Sequence, residues 1–151
     1  MDITTRVNGH VFVWHELDDV AKFNLKFGLP IGGEPKFLSQ EDTSYRVKFL
    51  QEELDELAVA VHTRDMAGAA DALVDLAYVL YGTVLMMGLG PHWEALWSEV
   101  QRANLSKERV ADATQSKRGH KLDVIKPVGW VGPDFGPILG PGPWQTEGEE
   151  S

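Results

Sequence analysis

Apolar and polar positions follow two different rhythms along this chain. Near the start, T-T-R-V and H-V-F-V-W are β-favouring runs on either side of Asn8-Gly9, the dipeptide best suited to a two-residue hairpin turn. A helical rhythm then takes over. From Leu17 to about Phe27, apolar residues at Val20, Phe23, Leu25 and Phe27 predict a short helix stopped by Gly28 and Pro30, followed by a loop to Leu38. A long helix is expected from an N-cap at Ser39 to about His62, with Glu41 and Asp42 in its first turn. Its apolar stripe is Val47, Leu50, Leu54, Leu57, Ala58 and Val61. A third helix, apolar on nearly every side, should run from an N-cap at Asp65 to about Met87. The fourth should start at Pro91, a favoured first helical position, and carry Trp93, Leu96, Trp97 and Val100 toward Lys107. From Pro127 the chain is too rich in Gly and Pro to sustain a helix or a central strand, and an extended arm is expected.

The pattern therefore predicts a mainly α protein, a four-helix bundle with a small N-terminal β-hairpin and an extended C-terminal arm. At 151 residues it is read as one domain: a hairpin over 1–15, a helical core over 16–109, and a basic segment with the tail over 110–151. There is no cysteine, which removes disulfides, thiol nucleophiles and Cys-built zinc sites from consideration. No apolar signal core is present at the start and no uninterrupted apolar run reaches about 18 residues, so a cytoplasmic protein without a membrane partner is expected. A formal charge of -9 disfavours nucleic acid. It does not disfavour a small phosphorylated substrate, since bound cations invert the local field wherever acids cluster.

Acids do cluster. The second helix carries Glu52, Glu53, Asp55 and Glu56. At about 100° per residue, Glu53 and Glu56 fall at the edge of the apolar stripe, Glu52 on its boundary, and Asp55 on the opposite side. In the third helix Asp71 and Asp75 share one face, in a narrow stripe with Gly68, Tyr78 and Gly82. A helix this apolar must be surrounded by protein, so its aspartates are expected inside or in a cleft, where something cationic has to compensate them. Oxygen-only ligands without histidine suit a hard cation, Mg²⁺ or Mn²⁺, better than zinc or a di-iron pair. The competing reading is a structural ion-pair network with Arg46, Arg102 or a lysine.

At these residues the sequence resembles the MazG-like all-α nucleotide pyrophosphohydrolase superfamily, and within it the phage branch that holds the MazZ-type dGTP/GTP pyrophosphohydrolases. The resemblance runs from Val20 to Asp134, through F-N-L-K-F-G-L-P, R-V-K-F-L-Q-E-E-L-D-E-L, D-A-L-V-D-L-A-Y-V-L-Y-G-T, E-V-Q-R-A-N-L-S-K and I-K-P-V-G-W-V-G-P-D. Glu52, Glu53 and Glu56 match the family's first acidic cluster and Asp75 the last acid of its second. The Glu expected at Ala72 is missing, and Asp71 is the residue placed to replace it. The resemblance implies a MazG-like bundle that cleaves a nucleoside triphosphate to the monophosphate and pyrophosphate. Glu53, Glu56, Asp71 and Asp75 would hold the cations, and Glu52 or Glu53 would accept a proton from water. Arg102, Asn104 and Lys107, with Lys121 and Lys126, would clamp the β and γ phosphates; their plainer reading is a helix C-terminus decorated with cations. Asn24 stands where base selection is expected, and Trp14, Phe27 and Trp130 are candidates to stack on the base. The resemblance also implies a homodimer or homotetramer. The preferred substrate by this reading is dGTP or GTP in phage nucleotide metabolism, within the host cytoplasm if the chain is phage-encoded, with dUTP second. A helical dimer that binds a nucleotide or a partner without catalysis is the alternative from another class.

Overall fold

Ser39 and Asp65, the two polar residues expected to start long helices, both do so. In the computed structural model, α1 spans Glu16–Phe27, α2 Gln40–His62 and α3 Met66–Met86. Ser39 Oγ accepts from the backbone of Asp42 at 3.0 Å, and the Asp65 carboxylate accepts from that of Gly68 at 2.9 Å, which satisfies N–H groups that a helix start leaves orphaned. The structure describes the strands at 4–7 and 10–13 and residues 16–142. The strands β1 (Thr4–Val7) and β2 (His10–Val13) pair antiparallel, with Val7 opposite His10. The Asn8-Gly9 turn expected between them lies outside the described residues, as do Trp14 and the last part of the tail.

Residues group into two compact units, 1–91 and 92–151. In the first, α3 packs against both α1 and α2. All three helices end in the same way. The N–H two residues beyond the last helical turn reaches back to a carbonyl five residues earlier: Leu29 to Asn24, Asp65 to Ala60, Leu89 to Val84. That closure needs a left-handed residue, supplied by Gly28, Arg64 and Gly88 at φ of 69°, 59° and 70°. Arg64 is the misfit, and Arg64→Gly is expected to stabilise the fold by about 1 kcal/mol, the scale of left-handed strain in a residue with a Cβ. Gly88→Ala should do the reverse by about 2 kcal/mol or more, because its Cβ would also run into the Glu34 carbonyl. Urea midpoints of the two variants on opposite sides of the wild type check both.

The buried face of α2 differs from the one the apolar pattern predicts. Arg46, Glu53 and Ala60 are buried, with Phe49, Leu50 and Leu57 half-buried beside them, whereas Val47, Leu54, Ala58 and Val61 are exposed. The helix has two usable faces, and α3 is narrow at Ala72, Val79 and Gly82, so it accepts the face whose long polar side chains fill that space. Several apolar residues on the remaining surfaces of α2 and α3 are left 41% to 63% exposed: Tyr45, Val47, Leu54, Val59, Val61, Leu73, Val74 and Leu80. By length and composition α3 would also suffice to cross a membrane, with a mean hydropathy of 1.5 over its most apolar window. Its two aspartates on one face oppose that use, since each would be costly at a bilayer centre.

In the second unit, Pro91 sits in a 3-10 turn, Gly90–His92, and the helix α4 starts later than expected, spanning Trp93–Leu105. Two short strands, β3 (Glu108–Arg109) and β4 (Val124–Ile125), pair antiparallel behind it. The loop between them is tied by Asp123, which accepts from Ser116 Oγ at 2.6 Å, Arg118 Nη1 at 2.7 Å and the Val124 N–H at 2.9 Å. Those donors hold its carboxyl below the usual range. The Gly/Pro-rich tail is extended apart from one helical turn, α5 (Gly136–Leu139), which has a proline in its first turn, where the missing N–H costs nothing.

Candidate active site

Glu53 and Glu56 were expected to face inward together, and Asp71 with Asp75 to be carried inside. The structure separates them. Glu53 is buried at 8% exposure, while Glu52, Glu56, Asp71 and Asp75 are exposed in the single chain. Of these four, Asp75 lines the cavity that Glu53 also lines. The difference is angular: Glu56 lies three residues on, about 60° round the helix from Glu53, and only Glu53 lies on the face that α3 covers.

Glu53 Oε2 is buried and accepts no hydrogen bond. Its carboxyl is pushed above the usual range, first by burial, then by the negative charges of Glu56, Asp75, Glu52 and Asp71. A buried carboxylate is ordinarily compensated by a cation or by donors, and among the described residues neither is supplied here. The competing ion-pair reading assigned that task to Arg46 or Arg102. Arg46 instead donates from Nη2 to the Val79 carbonyl at 2.6 Å and from Nε to Thr83 Oγ1 at 3.1 Å, and Arg102 pairs with Glu99.

The cavity, about 190 Å³, lies within the first unit. Phe23, Phe49 and Tyr78 give it flat aromatic walls, Val20, Leu29 and Val79 apolar ones, and Asn24, Arg46, Glu53 and Asp75 its polar groups. Phe23 and Tyr78 meet edge to face, with centroids 5.4 Å apart. Asn24 is 3% exposed and donates from Nδ2 to the Pro30 carbonyl at 2.9 Å, which folds the loop after α1 back over it. Phe27, a candidate to stack on a base, stands exposed against Phe23 and does not line this cavity. The aromatic lining was not foreseen in the sequence, which offered Trp14, Phe27 and Trp130 for stacking, because Phe23, Phe49 and Tyr78 stand on three different helices that only packing brings together. Arg46 was read as a counter-ion, because nothing in the one-dimensional pattern marks the carbonyl of Val79 as its partner.

In the second unit Arg102 is held by Glu99 through two bonds of 3.0 and 2.8 Å and donates also to the Gly132 carbonyl at 3.0 Å. These bonds and the Asp134 N–H hold the Glu99 carboxyl down at about 2. Asn104 accepts from Lys107 Nζ at 2.8 Å. Lys107 and Lys126 place their ammonium groups 5.5 and 4.5 Å from the Trp130 ring centre, and Trp130 donates from Nε1 to the Ala103 carbonyl at 2.9 Å. Trp130 thus has two ammonium groups close to its ring, and Lys121 is exposed.

The body is mostly helical and carries acids on two neighbouring helices, with Glu53 orphaned beside an aromatic cavity. The profile described as PRA-PH, phosphoribosyl-ATP pyrophosphohydrolase, matches residues 20–104, and the chain belongs to that family, part of the MazG-like all-α superfamily. It is a pyrophosphohydrolase. No curated protein matches the chain.

Enzymes of this superfamily are generally dependent on a divalent metal. Among the described residues no three carboxylates or imidazoles stand together as a finished ligand set. The fit of a cation rests on two other observations: the orphaned Glu53 oxygen, repelled by four neighbouring acids, and a donor set made entirely of oxygen.

Proposed function

We propose that the protein hydrolyses a nucleoside triphosphate to the monophosphate and pyrophosphate with Mg²⁺ or Mn²⁺, with dGTP and GTP as preferred substrates, and that it serves phage nucleotide metabolism in the cytoplasm. The observation that carries this reading is the uncompensated Glu53 carboxylate at the edge of an aromatic cavity. Glu53, Glu56, Asp71 and Asp75 would hold the cation. When bound, it neutralises phosphate oxygens and lowers the pKa of a coordinated water. Glu52, exposed and adjacent to Glu53, or Glu53 itself takes the proton of the attacking water. The aromatic walls exclude water from the nucleoside and hold it in register with the carboxylates. Arg102, Asn104, Lys107, Lys121 and Lys126 remain the proposed phosphate contacts.

The same reading includes a homodimer or homotetramer. The apolar side chains left on α2 and α3 are more than scattered surface residues, and a second copy would cover them. Incubation of the purified protein with single nucleotides and Mn²⁺, with pyrophosphate as readout, tests the activity. Folded protein that released none from any nucleotide would end the reading. Light scattering at micromolar concentration should give at least a dimer, and a strict monomer would remove that part.

A further inference from the structure

Arg46 is a buried cation that the proposed hydrolysis does not use. It lines the cavity at 8% exposure, and among the described residues no carboxylate lies within ion-pair reach of it. With Nη2 on the Val79 carbonyl, Nε on Thr83 and a side-chain bond to Tyr45, the five N–H groups of the guanidinium are not all engaged by the described residues. The Tyr45 and Phe49 rings, 5.7 and 5.6 Å from its central carbon, supply part of the compensation that a buried guanidinium needs, and no carboxylate supplies the rest.

Asn24 supplies the complement. A backbone carbonyl only accepts, so the bond to Pro30 fixes which end of the amide is Nδ2 and leaves Oδ1, among the described residues, as an acceptor open to a guest. Besides the Glu53 and Asp75 carboxylates, the cavity therefore offers one cationic donor group and one amide acceptor between aromatic walls. Arg46 also stands seven residues before Glu53 on α2, two turns or about 10 Å along the same face. The cavity joins these two ends, so a nucleotide whose phosphates met Glu53 could place its base at the Arg46 end.

Resting on the pyrophosphohydrolase reading, we propose that Arg46 and Asn24 read the base, and that they select a lactam edge, a ring carbonyl beside a ring N–H. Guanine presents this as O6 beside N1–H, and uracil as O4 beside N3–H. Arg46 donates to the carbonyl and Asn24 Oδ1 accepts from the N–H. Adenine and cytosine present an amino group beside a bare ring nitrogen, so donor faces donor and acceptor faces acceptor. Gly82 is the positioning residue, since a Cβ there would lie 2.7 Å from Arg46 Nη2. A bare backbone at that turn of α3 is what lets the guanidinium reach its place.

The test measures kcat/KM with Mn²⁺ for dGTP, dITP, dUTP, dATP and dCTP, and binding of the α,β-methylene analogues of the same bases by equilibrium dialysis. Nucleotides bearing a lactam should lead, with dATP and dCTP about tenfold to a hundredfold below the better of dGTP and dUTP. The dGTP and dUTP arms decide whether the pocket takes a purine or a pyrimidine. In the purine case dITP, which keeps the lactam and lacks the 2-amino group, stays within about tenfold of dGTP. Gly82→Ala, which displaces the guanidinium from the opposite helix, should raise KM for the preferred nucleotide more than it lowers kcat and narrow the discrimination. Arg46→Gln should do the same. Equal turnover of dATP or dCTP in the wild type, or folded variants with undiminished discrimination, would overturn the inference. Cleavage without base preference removes the lactam rule and leaves the hydrolase. Selective binding without cleavage removes the hydrolase and leaves the rule. Neither binding nor cleavage overturns both.

Discussion

Glu53→Gln is expected to cut pyrophosphate release by at least about 10²- to 10³-fold, the scale on which loss of one charge-stabilising group acts, and to raise the thermal midpoint of the metal-free protein. The two effects have one cause. Glu53 sits buried, unbonded and among four other acids, so its ionised form is unfavourable until a cation arrives. The sign in pH follows from linkage. Because the folded carboxyl lies above its ordinary value of 4.5, the folded state holds more proton than the unfolded one between that value and the raised one. In that window stability falls as pH rises. Metal-free wild type should therefore gain stability as it is acidified from neutrality toward the ordinary carboxylate range, and the glutamine variant should lose that part of the response. Calorimetric scans of both proteins in chelator at several pH values measure it; a variant less stable than wild type at neutral pH would show that Glu53 is already compensated by other means.

The second large effect is the response to cations. A site that exists only in the folded state stabilises it by about 2.7 kcal/mol at a free ion concentration of 100 times the dissociation constant, which for a chain of this size is a rise of roughly 5 to 10 °C. Mn²⁺ or Mg²⁺ should produce that shift, and Asp75→Asn should diminish it, because Asp75 is the α3 carboxylate that shares the cavity with Glu53. An acidic patch that only repelled itself would respond to ionic strength alone. Ca²⁺ and NaCl at matched ionic strength therefore belong in the same experiment, and equal shifts with NaCl would remove the site.

The elements were legible because helix punctuation is local. Ser39, Asp65, Gly28 and Gly88 act within one turn of their own position, and each ends or begins a helix where its chemistry says it should. What lies toward what is not local. The α2 pattern offers a good apolar stripe through Val47, Leu54 and Val61, yet the neighbour that decides the matter is α3, whose small residues receive Arg46 and Glu53 instead. The acids were found as a group, while their ranking was not: spacing placed Glu53 and Glu56 together, and only packing separates the buried one from the exposed one. Arg46 was visible as a charge near other charges, but its bond to a carbonyl 33 residues away belongs to tertiary structure.

That bond also bears on how such an enzyme changes its substrate over evolutionary time. The Val79 carbonyl gripped by Arg46 is one turn from Asp75 on the same helix, so relocating the arginine disturbs the turn that carries a carboxylate proposed to hold the cation. Asn24 belongs to a different segment, buried in α1 and bonded through its amide to the loop it clasps. Descendants acquiring a new nucleobase would find the mutable letter at the end of α1, with the reaction centre undisturbed.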